Sequence, residues 1–213
     1  MFVPVGAAGV GPSGSLAPVS LALFIGAFMF GTGMQLANGC GSGVLFSFGG
    51  GSGRMLLALP FFVIGSVLGS IILPPVLALG SLGQVEIGAG LSGFGKLAVN
   101  LALLLSAAAL FGWLGARRGF FLSRKMLLAT AMIALLCWGV FWVSHHPWGV
   151  TFGFTLWGAK IASAIGVPIE DFTFWTWPGP QRALTHSVLS DTSSLINFSM
   201  IIGAGLTAAV SGA

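Results

Sequence analysis

The sequence predicts an all-α fold: a polytopic bundle of membrane helices that contains a glycine-rich re-entrant or broken-helix loop. Of the 213 residues, 56% are hydrophobic and only 6% are charged, whereas a soluble domain carries about 25% charged residues. The mean hydropathy is +1.02, and several apolar runs approach the roughly 20 residues that cross a bilayer core. The 34 glycines favour close helix contacts and non-helical backbone inside such a bundle.

Four apolar runs predict four membrane spans. They cover residues 16–37, 55–79, 96–115 and 126–144. Pro74 and Pro75 are expected to end or kink the second run, because proline lacks the backbone donor that a helix needs. Residues 1–15 are rich in Gly, Pro and Ser and predict a flexible segment. Residues 16–144 are therefore expected to form a first transmembrane repeat.

The basic residues predict the orientation of these spans. Half of them, Arg117, Arg118, Arg124 and Lys125, lie in one short segment between the third and fourth runs. Short loops that are rich in Lys and Arg stay on the cytoplasmic side. We therefore expect loop 116–125 to be cytoplasmic in a multi-pass membrane protein. A topology signal also explains the net charge of +4 without a nucleic-acid partner.

The remaining residues, 145–213, are predicted to be a connector and the start of an incomplete second repeat. Residues 148–169 are apolar enough for a further span, although Lys160 interrupts them. Residues 170–197 hold charges, prolines, Trp175 and Trp177, which is typical of an interfacial loop with an aromatic belt. Residues 198–213 are shorter than an easy crossing requires.

The loop at residues 38–54 carries the strongest functional pattern. Non-helical backbone at membrane depth is tolerated only where it is buried in protein or lines an aqueous cavity. Glycine amides can form an anion-binding nest, and a helix that starts after the loop adds its positive dipole end. A polarizable thiol suits a sulfur-containing ion. The predicted substrate-binding residues are Asn38, Gly39, Cys40, Gly41, Ser42 and Gly43.

Other interpretations of the reactive side chains stay open. The Gly-Cys-Gly sequence is also typical of a simple small-residue helix contact. Cys40 has no neighbouring metal ligand or general base, so we expect no metal, no cofactor and no catalytic residue. Cys137 and Lys160 are weaker candidates for the substrate site. Cys137 lies in an apolar run and is expected to be a packed core thiol. The charge of Lys160 is unfavourable inside the bilayer, so this residue is expected either to extend its amine to the membrane interface or to have a function. Asp191 is expected on a solvated loop.

The cysteine loop resembles a family signature. The stretch from Phe30 to Gly43, FGTGMQLANGCGSG, resembles the FGxGMxLAxGCxSG pattern of the YeeE/YedE family of bacterial sulfur-compound transporters. Residues 147–153 and 156–160 are similar to the connector between that family's two halves. The resemblance implies inverted halves in the inner membrane and a narrow path for thiosulfate lined by cysteines. Cys40 would hydrogen-bond the passing sulfur transiently, and the glycines would shape the constriction.

The family's second cysteine loop does not occur in these residues, so the resemblance implies one half of the inverted-repeat architecture. The chain is expected to be either a fragment or a half that pairs with a second half-transporter chain. The expected function is transport of a small sulfur-containing anion, thiosulfate in the first place. The alternatives are a membrane subunit that passes sulfur or selenium to a partner enzyme or a cytoplasmic sulfur-carrier protein, and a structural membrane scaffold.

Overall fold

A computed structural model describes residues 19–78, 80, 93–117, 123–144 and 148–212. Within these ranges the α-helices are α1 (Leu21–Ala37), α2 (Gly41–Gly49), α3 (Gly53–Leu77), α4 (Gly93–Arg117), α5 (Arg124–Ser144), α6 (Val150–Ala164), α7 (Pro178–Thr185) and α8 (Thr192–Ser211). Short 3-10 turns lie at Ile169–Asp171, Thr173–Thr176 and Val188–Ser190. The same ranges contain no strand, which confirms the all-α prediction. The predicted flexible segment 1–15 and the middle of the basic loop, 118–122, lie outside the described residues.

By length and composition, five stretches of the described helices can cross a membrane. They are Leu21–Gly49, Gly53–Leu77, Leu97–Gly115, Arg124–Ser144 and Thr192–Ser211. The first combines α1 with α2, and the next three correspond to the remaining predicted spans. The prediction of a polytopic membrane bundle is thus confirmed. Helix α3 continues through Pro74 and Pro75 and ends shortly afterwards at Leu77.

The predicted span over residues 148–169 is wrong in length. Helix α6 has 15 residues, which corresponds to about 22 Å of helix against a hydrocarbon core of about 30 Å. Several of its apolar residues are buried in protein instead: Phe154, Leu156 and Ala159 have no exposed surface. The apolar composition of this segment reflects a buried helix, which periodicity alone does not distinguish from a membrane span.

The end of the chain also differs from the prediction. Helix α8 has 20 residues and starts at Thr192, within the segment that was expected to be a loop, so the final run is long enough to cross. Its first turns are polar, but Ser193, Ser194 and Asn197 are buried against other helices. Trp175 is only 1% exposed and belongs to a protein core with Leu156, rather than to an interfacial belt.

The chain forms two compact units, and each is described by itself. One unit contains α4 and α5 within residues 82–147. In it, Cys137 is exposed, so the prediction of a packed core thiol is wrong: its apolar neighbours in sequence face outward with it. The boundaries of the predicted repeats stay a prediction.

The second unit joins residues 20–81 to residues 148–213. Here α3 packs mainly against α6, and α2 packs mainly against α8. The short helix α2 is central to this unit, since Val44 and Leu45 are completely buried. The cysteine loop therefore lies among helices that are far apart in sequence.

Candidate functional site

The loop predicted over residues 38–54 is confined to a short break after α1 at Asn38–Cys40, since Gly41–Gly49 form helix α2. Helix α1 ends at Asn38, which adopts a left-handed conformation with φ of 57°. Asn is one of the few side chains that tolerate this region, and it often ends helices. The Gly39 N–H donates a hydrogen bond to the Met34 carbonyl oxygen, with an N···O distance of 3.1 Å. The chain then re-enters a helix, because Cys40 is the extended N-cap residue of α2.

Cys40 therefore lies at the N-terminus of a short internal helix. Its thiol is half-buried, and its Sγ is 3.1 Å from the Ser42 Oγ, with either atom able to donate. The side chain makes no capping hydrogen bond to the helix backbone. The first amides of an α-helix have no intrahelical acceptor and carry the positive end of the helix dipole. The Cys40 thiol and the Ser42 hydroxyl thus lie next to each other at the N-terminus of α2.

The glycines of this loop have different structural roles. A Cβ on Gly41 would lie 3.3 Å from a Phe154 ring carbon and 3.3 Å from the Val150 Cγ1. The missing side chain therefore lets the N-terminus of α2 approach α6 closely. A Cβ on Gly39 would meet nothing nearer than 3.9 Å, and one on Gly43 would lie 3.7 Å from the Cys40 Sγ. A Cβ at either position would make only ordinary contacts, and at Gly43 its absence leaves room directly beside the thiol.

The other end of α2 is fixed by a second close approach. A Cβ on Gly49 would overlap the Ile201 carbonyl oxygen and would come within 2.9 Å of the Ala204 Cβ. Helix α8 therefore contacts the backbone of α2 directly. Small residues permit such contacts between membrane helices, where burial of apolar surface provides little driving force.

Buried polar side chains hold α6 against α8. Asn197 is completely buried; its Oδ1 accepts from Trp148 Nε1 at 3.0 Å, and its Nδ2 donates to the Val150 carbonyl oxygen at 3.1 Å. Trp157 Nε1 donates to the Ser194 Oγ at 2.9 Å. These hydrogen bonds fix the beginning of α6, against which Gly41 packs. Sequence reasoning missed Asn197 and Ser194 as positioning residues, although two polar residues three positions apart on an apolar helix were a usable signal.

Lys160 is engaged elsewhere in the same unit. Its Nζ donates to the Leu184 and His186 carbonyl oxygens, each at 2.7 Å. Gly41 lies against Val150 and Phe154 of α6, while Lys160 lies six residues beyond Phe154, about 9 Å further along that helix. The structure therefore does not bring Lys160 to the cysteine loop. Cys137 lies in the other unit.

Two further observations concern charged side chains. The Asp191 Oδ2 accepts from the Ser194 N–H at 2.7 Å and so caps α8, which corrects the expectation of a merely solvated residue. Across the ranges that the structure describes, no three His, Cys, Asp or Glu side chains form a group that could hold a metal ion.

These features define a class of protein: a polytopic membrane protein whose first span is interrupted and continued by a short internal helix. Transporters use such discontinuous helices, whose half-helix termini point at the substrate. The family model for sulphur transport matches residues 2–213, and the chain belongs to that family. The match confirms the resemblance of the cysteine loop, and the protein is a membrane protein of sulfur-compound transport. Comparison with curated proteins gave no match, and comparison with solved structures gave none either.

Proposed function

We propose that this chain carries a small sulfur-containing anion, thiosulfate in the first place, across the bacterial inner membrane past Cys40. The observation that supports this proposal is the position of the thiol at the N-terminus of α2, next to the Ser42 hydroxyl. A helix N-terminus favours negative charge without a fixed cation. An anion would therefore be held there weakly enough to leave again, as conduction requires.

The thiol contributes to selectivity for sulfur. Thiosulfate has a terminal sulfur as well as oxygen atoms, and a thiol is a weak donor and a weak, polarizable acceptor. Cys40 already shares a hydrogen bond with Ser42 at 3.1 Å. When an anion arrives, the thiol proton can turn from the Ser42 Oγ to the ion, and it can return when the ion leaves. The exchange keeps the half-buried thiol paired at each stage.

The orientation of the chain in the membrane is part of the proposal. The basic segment 116–125 carries half of the Lys and Arg residues, and we place it on the cytoplasmic side by the positive-inside rule. The proposal includes a second half of the pathway, in a longer form of this chain or in another chain, because the resemblance implies a path built from two halves.

The test is uptake of labelled thiosulfate by proteoliposomes that contain the full chain. Loss of one neutral hydrogen bond is worth about 0.5–1.5 kcal/mol, which corresponds to roughly a 2- to 10-fold fall in uptake efficiency for Cys40→Ala. Cys40→Ser keeps a donor but loses the polarizable sulfur, so we expect uptake of sulfate relative to thiosulfate to rise.

Cys137→Ala is the matched control, because it removes the chain's other thiol. Uptake that is equal in the parent, Cys40→Ala and Cys137→Ala proteins would contradict the role of Cys40. Uptake by none of them would require the assay to be repeated with a second half-transporter chain before the substrate is judged.

A further inference from the structure

The basic segment between α4 and α5 forms a positively charged surface. It carries Arg117, Arg118, Arg124 and Lys125, which are half of the chain's Lys and Arg residues. The sequence from residue 87 to residue 169 contains no Asp or Glu, so no carboxylate near this segment in sequence offsets its charge. The structure describes Arg117, Arg124 and Lys125, and all three are exposed. The transport proposal uses these residues only to orient the chain.

The two flanking helices place this surface at the edge of the membrane. Helix α4 ends at Arg117 and α5 begins at Arg124, and each contains a stretch that can cross a membrane. Seven residues of chain reach at most about 25 Å, which is less than the roughly 30 Å of a hydrocarbon core. Both helix ends therefore lie on the same side of the bilayer, at the depth of the lipid headgroups.

The beginning of α5 concentrates positive charge. The exposed Ser123 accepts from the Met126 N–H through its Oγ at 3.2 Å, and the first turn of α5 contains no acidic residue. A helix N-terminus carries a partial positive charge that favours anions. Arg124 and Lys125 therefore add like charges at the end of the helix where an anion is favourable. An anion from outside the chain would offset this repulsion.

Trp113 positions the cation at the end of α4. The Arg117 Cζ lies 3.9 Å from the centre of the Trp113 ring, a cation–π contact between residues one helical turn apart. A guanidinium group that lies over a ring still presents N–H donors at its edge, and these match the oxygens of a phosphate. Tryptophan is also enriched at the membrane interface. Arg117 is thus held in a geometry that suits a phosphate at headgroup depth.

We propose that this surface binds the headgroups of anionic phospholipids, with phosphate oxygens accepting from the Arg117 guanidinium, from Arg124 and from Lys125. Clusters of basic residues next to a membrane span are typical of such contacts. An anionic lipid is favoured over a zwitterionic one, because a zwitterionic headgroup brings its own cation to a surface that is already positive. The proposal goes beyond the transport function and does not depend on the substrate.

The test is native mass spectrometry of the detergent-solubilised full chain with phosphatidylglycerol, and separately with phosphatidylcholine that has the same acyl chains. We expect phosphatidylglycerol to bind at lower concentrations, with an advantage that shrinks as the salt concentration rises. Equal binding of the two lipids would overturn the assignment of an anionic headgroup. Displacement of bound phosphatidylglycerol by millimolar inorganic phosphate would show a site for a soluble anion and would overturn the lipid assignment.

Two matched variants test the charge. Arg124→Gln is expected to weaken phosphatidylglycerol binding about 5-fold and to leave phosphatidylcholine binding unchanged, since a basic residue near an anionic membrane contributes about 1 kcal/mol. Arg182→Gln is the control, because it removes an equally exposed cation from α7. Should Arg124→Gln fail to fold, Lys125→Gln at the neighbouring exposed position decides. Equal affinity of the basic-segment variant and the control for phosphatidylglycerol would overturn the site.

The substitution Trp113→Leu separates a positioned contact from a diffuse attraction. It leaves every charge in place but removes the cation–π contact of Arg117. We expect phosphatidylglycerol binding to weaken about 2- to 5-fold. An affinity equal to that of the parent protein would overturn the role that we assign to the Trp113–Arg117 pair.

Discussion

Substitution of Gly49 by alanine tests whether the contact between α2 and α8 sets the position of the cysteine loop. A Cβ at this position would overlap the Ile201 carbonyl oxygen and lie 2.9 Å from the Ala204 Cβ. Carbon atoms normally separate by about 3.5–4.0 Å. The helices must therefore move apart by roughly 0.6–1 Å, and α2 carries Cys40 at its other end.

The expected loss of stability follows from two opposing effects. Overpacking of this kind costs about 1–3 kcal/mol, while replacing a helical glycine by alanine recovers up to about 1 kcal/mol of helix propensity. Because the Cβ would meet backbone atoms of Ile201, which cannot turn aside, the cost lies at the upper end of its range, and the net destabilisation is about 2 kcal/mol. It is measured as a loss of thermal stability of the purified full chain, and thiosulfate uptake is measured beside it.

Gly50→Ala is the matched control for Gly49→Ala. Its Cβ would meet only the Phe46 and Ser47 carbonyl oxygens at 3.5 and 3.6 Å, which are ordinary contacts. We expect parental stability and uptake for this control, and reduced stability and uptake for Gly49→Ala. If both variants match the parent, α8 does not hold α2 in the way that we infer.

Two further substitutions separate the thiol from the helices that support it. Gly43→Ala fills the room beside the thiol with a methyl group 3.7 Å from the Cys40 Sγ, so we expect slower uptake at unchanged stability. Gly33→Ala in α1 is its control, because its Cβ would meet nothing within 4 Å, and equal uptake by the two variants would contradict this. Asn197→Ala leaves buried partners unpaired and should lower the free energy of unfolding by about 2–4 kcal/mol, measured by thermal unfolding. Ser199 is exposed on the same helix, and Ser199→Ala is the control. Equal melting temperatures of the two variants would refute a stabilising role for Asn197.

The parts of this fold that depend on local sequence could be predicted. Continuous apolar runs predicted the spans because membrane insertion depends on length and hydrophobicity. The break at Asn38–Cys40 was also local, since the glycines at positions 39, 41 and 43 weaken a helix, but the helix that follows from Gly41 to Gly49 was not predicted. The family match confirms the resemblance of this stretch, while the substrate-binding role of its residues stays a prediction.

The parts that depend on distant partners could not be predicted. The sequence predicted a loop over residues 170–197 from its charges, prolines and tryptophans, whereas α8 begins within it at Thr192 and buries Ser194 and Asn197. Their partners, Trp157 and Trp148, are 37 and 49 residues away in sequence. Trp175 was predicted to lie at the membrane interface because of its polar, proline-rich neighbours. Composition does not show which aromatic side chains are buried in a protein core.

The bilayer cannot position the cysteine by itself. Helix α2 has nine residues, or about 13 Å, and is too short to be anchored at both membrane interfaces. Its location depends on protein contacts: Gly41 against α6 and Gly49 against α8. Those two helices are joined in turn by the hydrogen bonds of Asn197. If Cys40 acts by transient hydrogen bonding, which is sensitive to distances of a few tenths of an ångström, uptake must depend on Asn197, although that residue need not touch the anion.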